Sequence, residues 1–172
     1  GEFRYAPNLH TEGQFSASYF NEQIRGPATT STAVNRWSVT GLHRQTFSDD
    51  IRFYSDLFFV SDDLFLREIS SHALNLPSFS DFSDWALRTR RYTDSQVGGV
   101  KSWDNALMRA EATYYQDLRQ DDDFAFQTLP RLQFQGRQRF WQDRLEAGLA
   151  VEGTSFYRNQ GYAGQRLDFA PS

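Results

Sequence analysis

The chain contains no cysteine, a single lysine and a single methionine, and none of its apolar stretches is long. Without cysteine, neither disulfides nor thiolate metal sites are available within this segment. No apolar run approaches the roughly 20 residues that a membrane-spanning helix needs, and the mean hydropathy is strongly negative. That argues against a helical membrane protein. It leaves a membrane β-barrel open, because half of every barrel strand faces a polar lumen. Positive charge is not in excess either, and the formal net charge of −4 removes the bulk attraction on which nucleic-acid binding draws. Of the 18 basic residues all but Lys101 are arginine. The planar guanidinium fork binds phosphate and carboxylate edges, so an arginine-rich wall suits an anionic ligand; a genome biased toward arginine codons gives the same composition.

The short motifs of catalysis are also missing. There is no Gly-x-Ser-x-Gly elbow, no His-Glu-x-x-His pair and no phosphate-cradling glycine loop, and His10, His43 and His72 lie far apart. No catalytic residue and no cofactor is assigned, although separation in sequence alone does not exclude a spatial triad. The clusters Asp49-Asp50, Asp62-Asp63 and Asp121-Asp122-Asp123 offer oxygen ligands to a hard cation. They lack the spacing of a calcium loop, and solvated turns are the better reading, so no metal site is assigned.

What the chain does have is alternation. In residues 139–157, Trp141, Leu145, Ala147, Leu149 and Val151 fall on one face, and Gln142, Arg144, Glu146, Glu152 and Thr154 on the other. In residues 103–117, Ala106, Met108, Ala110, Ala112 and Tyr114 alternate with Asn105, Arg109, Glu111, Thr113 and Tyr115. Aromatic residues stand near the ends of both apolar faces, Trp103 and Tyr114 in one, Trp141 and Tyr157 in the other, as in the interfacial girdles of outer-membrane barrels. Such long strands suit a tilted membrane crossing. A β-sandwich with one wet face shares the period of two.

The pattern predicts strands near 12–24, 33–47, 51–60, 84–93, 100–118, 124–135, 139–158 and 165–171. Short polar turns are expected at Ser48-Asp49-Asp50 and Gly136-Arg137-Gln138, with longer connections at 25–32 and 61–83. Within the second of these, residues 62–69 are expected to form a short helix capped by Ser61 or Asp62. Pro130 removes one ladder donor, which points to a local bulge or a strand end. No signal peptide begins the chain and an alternating run starts at Arg166 and stops, so the expectation is a piece of a larger barrel.

Several of these segments resemble the LptD (OstA) family. The run Val60-Ser-Asp-Asp-Leu-Phe-Leu-Arg-Glu-Ile-Ser70 is similar to its VSDD segment, Leu129-Pro-Arg-Leu-Gln-Phe134 to its LPxLxF strand, and His43-Arg-Gln-Thr-Phe47 to its H-x-Q strand end. Thr154-Ser-Phe-Tyr-Arg158 followed by Gly164-Gln-Arg-Leu-Asp-Phe-Ala-Pro171 resembles a further stretch of the family, in the right order. On that resemblance Ser61, Asp62, Asp63, Pro130, Arg158, Gly164 and Arg166 are family-motif residues, for which structural roles are expected.

The resemblance implies an all-β fold, with residues 1–172 as one partial barrel domain of about eight antiparallel transmembrane strands. It further implies a part in an outer-membrane translocon that inserts lipopolysaccharide into the outer leaflet in a Gram-negative bacterium. The implied partners are lipopolysaccharide, an LptE-like plug lipoprotein, and a periplasmic bridge protein reached through an N-terminal jelly roll. The family's lateral gate lies at its first strand, which Pro7 and Pro27 flank here; proline at strand ends is also ordinary. The residues expected to face the lumen and meet the ligand are Arg109, Glu111, Arg144, Glu146 and Glu152. A general outer-membrane porin or a small barrel enzyme is the competing class.

Overall fold

The computed structural model describes residues 1–22, 34–68, 89–119, 124–141 and 144–172. Among these described residues nine strands follow in chain order: β1 (Glu2–Asn8), β2 (Thr11–Glu22), β3 (Val34–Ser48), β4 (Ile51–Val60), β5 (Tyr92–Trp103), β6 (Ala106–Asp117), β7 (Gln127–Phe140), β8 (Leu145–Tyr157) and β9 (Gly164–Pro171). Each pairs antiparallel with the next, giving one meander sheet in the order β1 to β9. Among the described residues there is no second sheet, so the two packed layers of a sandwich are absent. The sheet is not closed: among the described residues β1 pairs with β2 alone and β9 with β8 alone.

Strand length follows from unbroken alternation. β2 has 12 residues and β3 has 15. At about 3.4 Å per residue and a tilt of about 40°, a 12-residue strand crosses about 30 Å, the thickness of a bilayer core. The connections are unequal. Leu9-His10, Asp49-Asp50 and Asp104-Asn105 are tight turns and, with Trp141 and Arg144, gather at one end of the sheet, where bonds such as Ser102 N–H to Asp50 O (2.8 Å) and Arg137 N–H to Asn105 O (2.8 Å) link neighbouring hairpins. The described residues 61–68, 89–91, 118–119, 124–126 and 158–163 lie at the other end.

The structure corrects several expected boundaries. The first hairpin, β1 to β2, begins upstream of the expected first strand, with Asn8 Oδ1 accepting the His10 N–H at 2.9 Å in its turn. The stretch 100–118 is two strands, because Asp104-Asn105 turns the chain between Trp103 and Ala106. Gly136-Arg137-Gln138 is not a turn. These residues lie within β7, opposite Leu149, Gly148 and Ala147, and the reversal comes after Phe140, where Trp141 adopts φ 49°. The strand expected at 84–93 falls at 92–103, while 84–88 lie outside the described residues, as do 25–32 and 69–83 of the expected long connections. The Asp49-Asp50 turn and a helical turn α1 (Phe65–Glu68) stand where the sequence places them.

Register assigns every side chain to a face. One face carries Phe15, Ala17, Val39, Leu57, Val97, Ala110, Leu132, Leu149 and Val151 across its middle. Phe47, Phe53, Trp103 and Phe140 stand toward the tight-turn end, and Tyr19, Trp37, Phe59, Tyr114 and Tyr157 toward the other. Nearly all the large members of this face are exposed, Phe169 by 63% and Leu149 by 44%. Apolar area of this extent open to its surroundings marks a surface made for a non-aqueous contact.

Among the described residues the one buried cluster sits on the opposite, polar face, at the long-connection end. There Phe58 and Val60 of β4 meet Phe65 and Leu66 of α1, Leu118 beyond β6 and the partly buried Phe20. The chain after β4 thus folds back over the polar face of its own sheet.

Candidate functional site

On the polar face, cross-strand pairs place the charged side chains in rows. Glu12 of β2 stands beside Arg44 of β3, Glu111 of β6 opposite Arg131 of β7, Arg139 of β7 opposite Glu146 of β8, and Glu152 of β8 opposite Asp168 of β9. The strongest pair is bidentate: Arg131 Nε and Nη2 donate to the two oxygens of Glu152, both at 3.0 Å, while Gln133 Nε2 donates to Oε2 at 2.7 Å. Two parallel bonds fix geometry as well as charge. Glu111, although directly opposite Arg131, accepts instead from the Tyr54 hydroxyl two strands away. Glu146 is shared by Arg139 at 3.2 Å and Arg137 at 3.9 Å, and Arg166 meets Asp168 at 2.7 Å.

A second arrangement fastens α1. Arg36 of β3 is buried, and its guanidinium donates to Asp62 through Nε at 3.0 Å and Nη2 at 2.8 Å, with Nη1 turned to Glu68. Its plane also lies over Phe65, 5.6 Å from the ring centroid. Asp62 accepts the Leu64 N–H at 3.1 Å and so caps the helical turn it anchors. Burial raises the Asp62 pKa, but the bonds from Arg36 and Ser61 outweigh it and hold the carboxyl below the usual carboxylate range. In the Asp49-Asp50 turn, the Ser48 hydroxyl and Lys101 likewise hold the Asp50 carboxyl low.

Two clefts open on the polar face toward the tight-turn end. A cleft of 880 Å³ runs over β5 to β8 past Leu107, Gln135, Arg139 and Glu146, and a smaller one of 380 Å³ over β3 to β6 past Leu42, Arg44, Tyr54 and Arg109. Among the described residues no cluster of three or more potential ligands forms a metal site. Asp121, Asp122 and Asp123 lie outside them, as does His72. His43 belongs to the apolar face, where it bonds the Tyr5 hydroxyl.

This two-sided sheet, with a continuous apolar surface backed by a wall of paired charges, is the form of a membrane β-barrel. The family model described as LPS transport system D, LptD, matches residues 34–172. The chain belongs to the LptD family. No curated protein matches it. LptD proteins are outer-membrane β-barrels, so the nine-stranded sheet is a segment of an antiparallel transmembrane barrel, and the chain's role is in lipopolysaccharide transport and assembly at the outer membrane. The family is one of transport and assembly proteins rather than of enzymes.

The site residues expected from the sequence fall into two groups. Arg109 and Glu111 of β6 and Glu146 and Glu152 of β8 all stand on the polar face, through the pairs Arg109–Gln133, Glu111–Arg131, Arg139–Glu146 and Gln133–Glu152. Arg144 does not belong to that wall. It precedes β8 in the turn, with its N–H bonded to Trp141 O at 3.2 Å. Of the motif residues, Ser61 and Asp62 dock the loop: Ser61 Oγ accepts the Trp37 N–H at 3.0 Å and donates to Asp62 at 2.7 Å. Asp63 is exposed beside them.

Pro130 lies where register shifts in β7, between Thr128 and Arg131. Arg158 packs its guanidinium 4.6 Å from the Phe126 centroid, Gly164 opens β9 opposite Phe156, and Arg166 stands opposite Thr154. Sequence reasoning missed Arg36 and Arg131. The signal for Arg131 is its opposition to the acidic residues of β6 and β8, which becomes visible only once register is known.

Proposed function

We propose that the chain forms wall strands of a translocon that delivers lipopolysaccharide into the outer leaflet of a Gram-negative outer membrane, with its polar face turned to the lumen. The observation that carries this reading is the division of one sheet into an exposed apolar face and a charge-paired polar face, within a family whose function is lipopolysaccharide transport. The tight turns then lie on the periplasmic side and the long connections outside, as is usual for such barrels. Arg109, Glu111, Glu146 and Glu152 line the passage, and Arg144 stands at its periplasmic rim. A mixed-sign lining solvates a phosphorylated sugar head while the acyl chains remain with lipid. Residues 1–172 act as one partial barrel domain, and an LptE-like lipoprotein plug and a periplasmic lipopolysaccharide bridge are the expected partners of the whole protein.

The test is made in the full-length protein. Depletion should lower lipopolysaccharide at the cell surface, and the wild-type gene should restore it. Arg109→Glu combined with Arg144→Glu should leave barrel abundance near normal while reducing surface lipopolysaccharide. Normal surface lipopolysaccharide at normal abundance would overturn the assignment of this face as the path, and equal loss of both would assign the two arginines to folding instead.

A further inference from the structure

Arginines of the polar face are paired almost without exception. Among the described strands, Arg4 meets Glu2, Arg36 meets Asp62 and Glu68, and Arg44 meets Glu12. Arg131 meets Glu152, Arg137 and Arg139 share Glu146, and Arg166 meets Asp168. The two without any ion pair or hydrogen bond to a described residue are Arg52 of β4 and Arg109 of β6, and both are exposed. They are not scattered. Arg52 pairs with Val100 of β5 and Val100 pairs with Arg109, so all three lie in one row across the sheet. The two Cα atoms are therefore two strand spacings apart, about 10 Å. Side chains as long as arginine's, rising from the same face, can converge above Val100.

The carboxylate that would be expected to quench Arg109 is held elsewhere. Glu111, two residues along on the same face, accepts the Tyr54 hydroxyl. The 380 Å³ cleft between Leu42, Tyr54, Val100 and Arg109 lies at this row, at the lower end of the roughly 300–1,000 Å³ of ligand-sized clefts. Two forks long enough to reach over Val100 from either side suit a tetrahedral anion. A carboxylate can bridge two guanidiniums, as Glu146 does between Arg137 and Arg139, but a phosphate monoester presents three oxygens to different sides and brings nearly two charges for the pair to neutralise.

We infer that Arg52 and Arg109 form a phosphate-binding subsite on the polar face near the tight-turn end, taking the phosphate group of a phosphorylated glycolipid or free phosphate. The subsite stands on the geometry of the row. Only the choice of glycolipid as the physiological source rests on the function proposed above.

The experiment uses the purified full-length protein in detergent, titrated calorimetrically with inorganic phosphate, with intact lipopolysaccharide and with phosphatase-treated lipopolysaccharide. The wild type should prefer the intact glycolipid by about tenfold or more, as expected for charge-assisted bidentate bonds. Arg52→Gln with Arg109→Gln should abolish that preference, whereas Arg137→Gln should not. Competition by inorganic phosphate, with no added gain from the glycolipid, assigns the subsite to free phosphate. An unchanged preference in the folded double variant overturns the subsite, and loss of a co-purifying subunit with phosphate binding intact overturns it in favour of a protein partner.

Should the glutamine pair fail to fold, Arg52→Lys with Arg109→Lys keeps the charge and removes the fork. A weakened preference then supports the subsite and an unchanged one overturns it. Lost phosphate binding together with normal surface lipopolysaccharide in cells leaves the subsite standing and defeats its place in transport.

Discussion

Tyr54 of β4 reaches over Gly98 of β5 to donate its hydroxyl to Glu111 of β6, so one side chain ties three consecutive strands. The bridge depends on the empty place at Gly98. A Cβ built there would lie 2.6 Å from the Tyr54 ring and hydroxyl and 3.0 Å from the Ala110 carbonyl oxygen.

Gly98→Ala should therefore displace the tyrosine, destabilising the full-length barrel by about 1–3 kcal/mol in urea unfolding from lipid vesicles. Tyr54→Phe, which removes only the hydroxyl, should cost about 1 kcal/mol. In a Tyr54→Ala background the Gly98→Ala substitution should cost much less, and strict additivity of the two would show that the ring does not occupy that space.

Leu149→Arg tests the apolar face. Leu149 stands on the face that carries Val151 and Ala147, well within β8, and is 44% exposed there. An arginine near the bilayer midplane costs about 2–4 kcal/mol on a barrel's lipid face. The expected outcome is slowed or incomplete insertion into vesicles. Ala150→Arg, one residue along and therefore on the polar face, should insert far more readily; equal behaviour of the two would refute the facing.

Docking of α1 should depend on acid. The Asp62 carboxyl titrates below its usual range in the folded protein, so the unfolded chain binds its proton more readily. Its contribution is present above the unfolded pKa and is lost as pH falls through the lowered folded value. Hydrogen exchange in residues 61–68 should stay protected through mildly acidic pH and rise only below the ordinary carboxylate range. Asp62→Asn should bring that exchange to neutral pH and flatten the dependence.

Residues 1–172 expressed alone should aggregate or stay unfolded in detergent, since β1 and β9 both present unpaired ladders in an unclosed sheet. Size-exclusion chromatography and thermal melting decide this. A monomer that melts cooperatively would mean that the edges find partners within the chain.

The facing of β6 and β8 was legible because it needs only the period of two, and the Asp49-Asp50 reversal because short polar residues announce it. Residues 100–118 read as one strand although the apolar face passes from odd to even positions between Trp103 and Ala106, a change of phase at the polar pair Asp104-Asn105 that marks the hairpin. Gly136 imitated a turn. Its missing side chain instead makes room for Phe134, whose ring a Cβ there would approach to 3.2 Å. β1 was hidden by Pro7, which coincides with a register shift between Tyr5 and Asn8. The buried Arg36 and the unpaired Arg52 share one cause of obscurity: whether an arginine has a partner is decided by strands far away in sequence. Arg144 was misplaced for the converse reason, since its parity suited β8 although that strand starts one residue later.

The knot of Phe58, Val60, Phe65, Leu66 and Leu118 gives the polar face a gradient of hydration along the strand axis. At the tight-turn end guanidinium and carboxylate groups are exposed, while at the far end side chains of β3 and β4 are buried beside α1. A charged head carried along β4 would have to shed solvent or shift that lid, whereas one moving along β8 and β9 would stay wet, since none of the knot's residues comes from those strands.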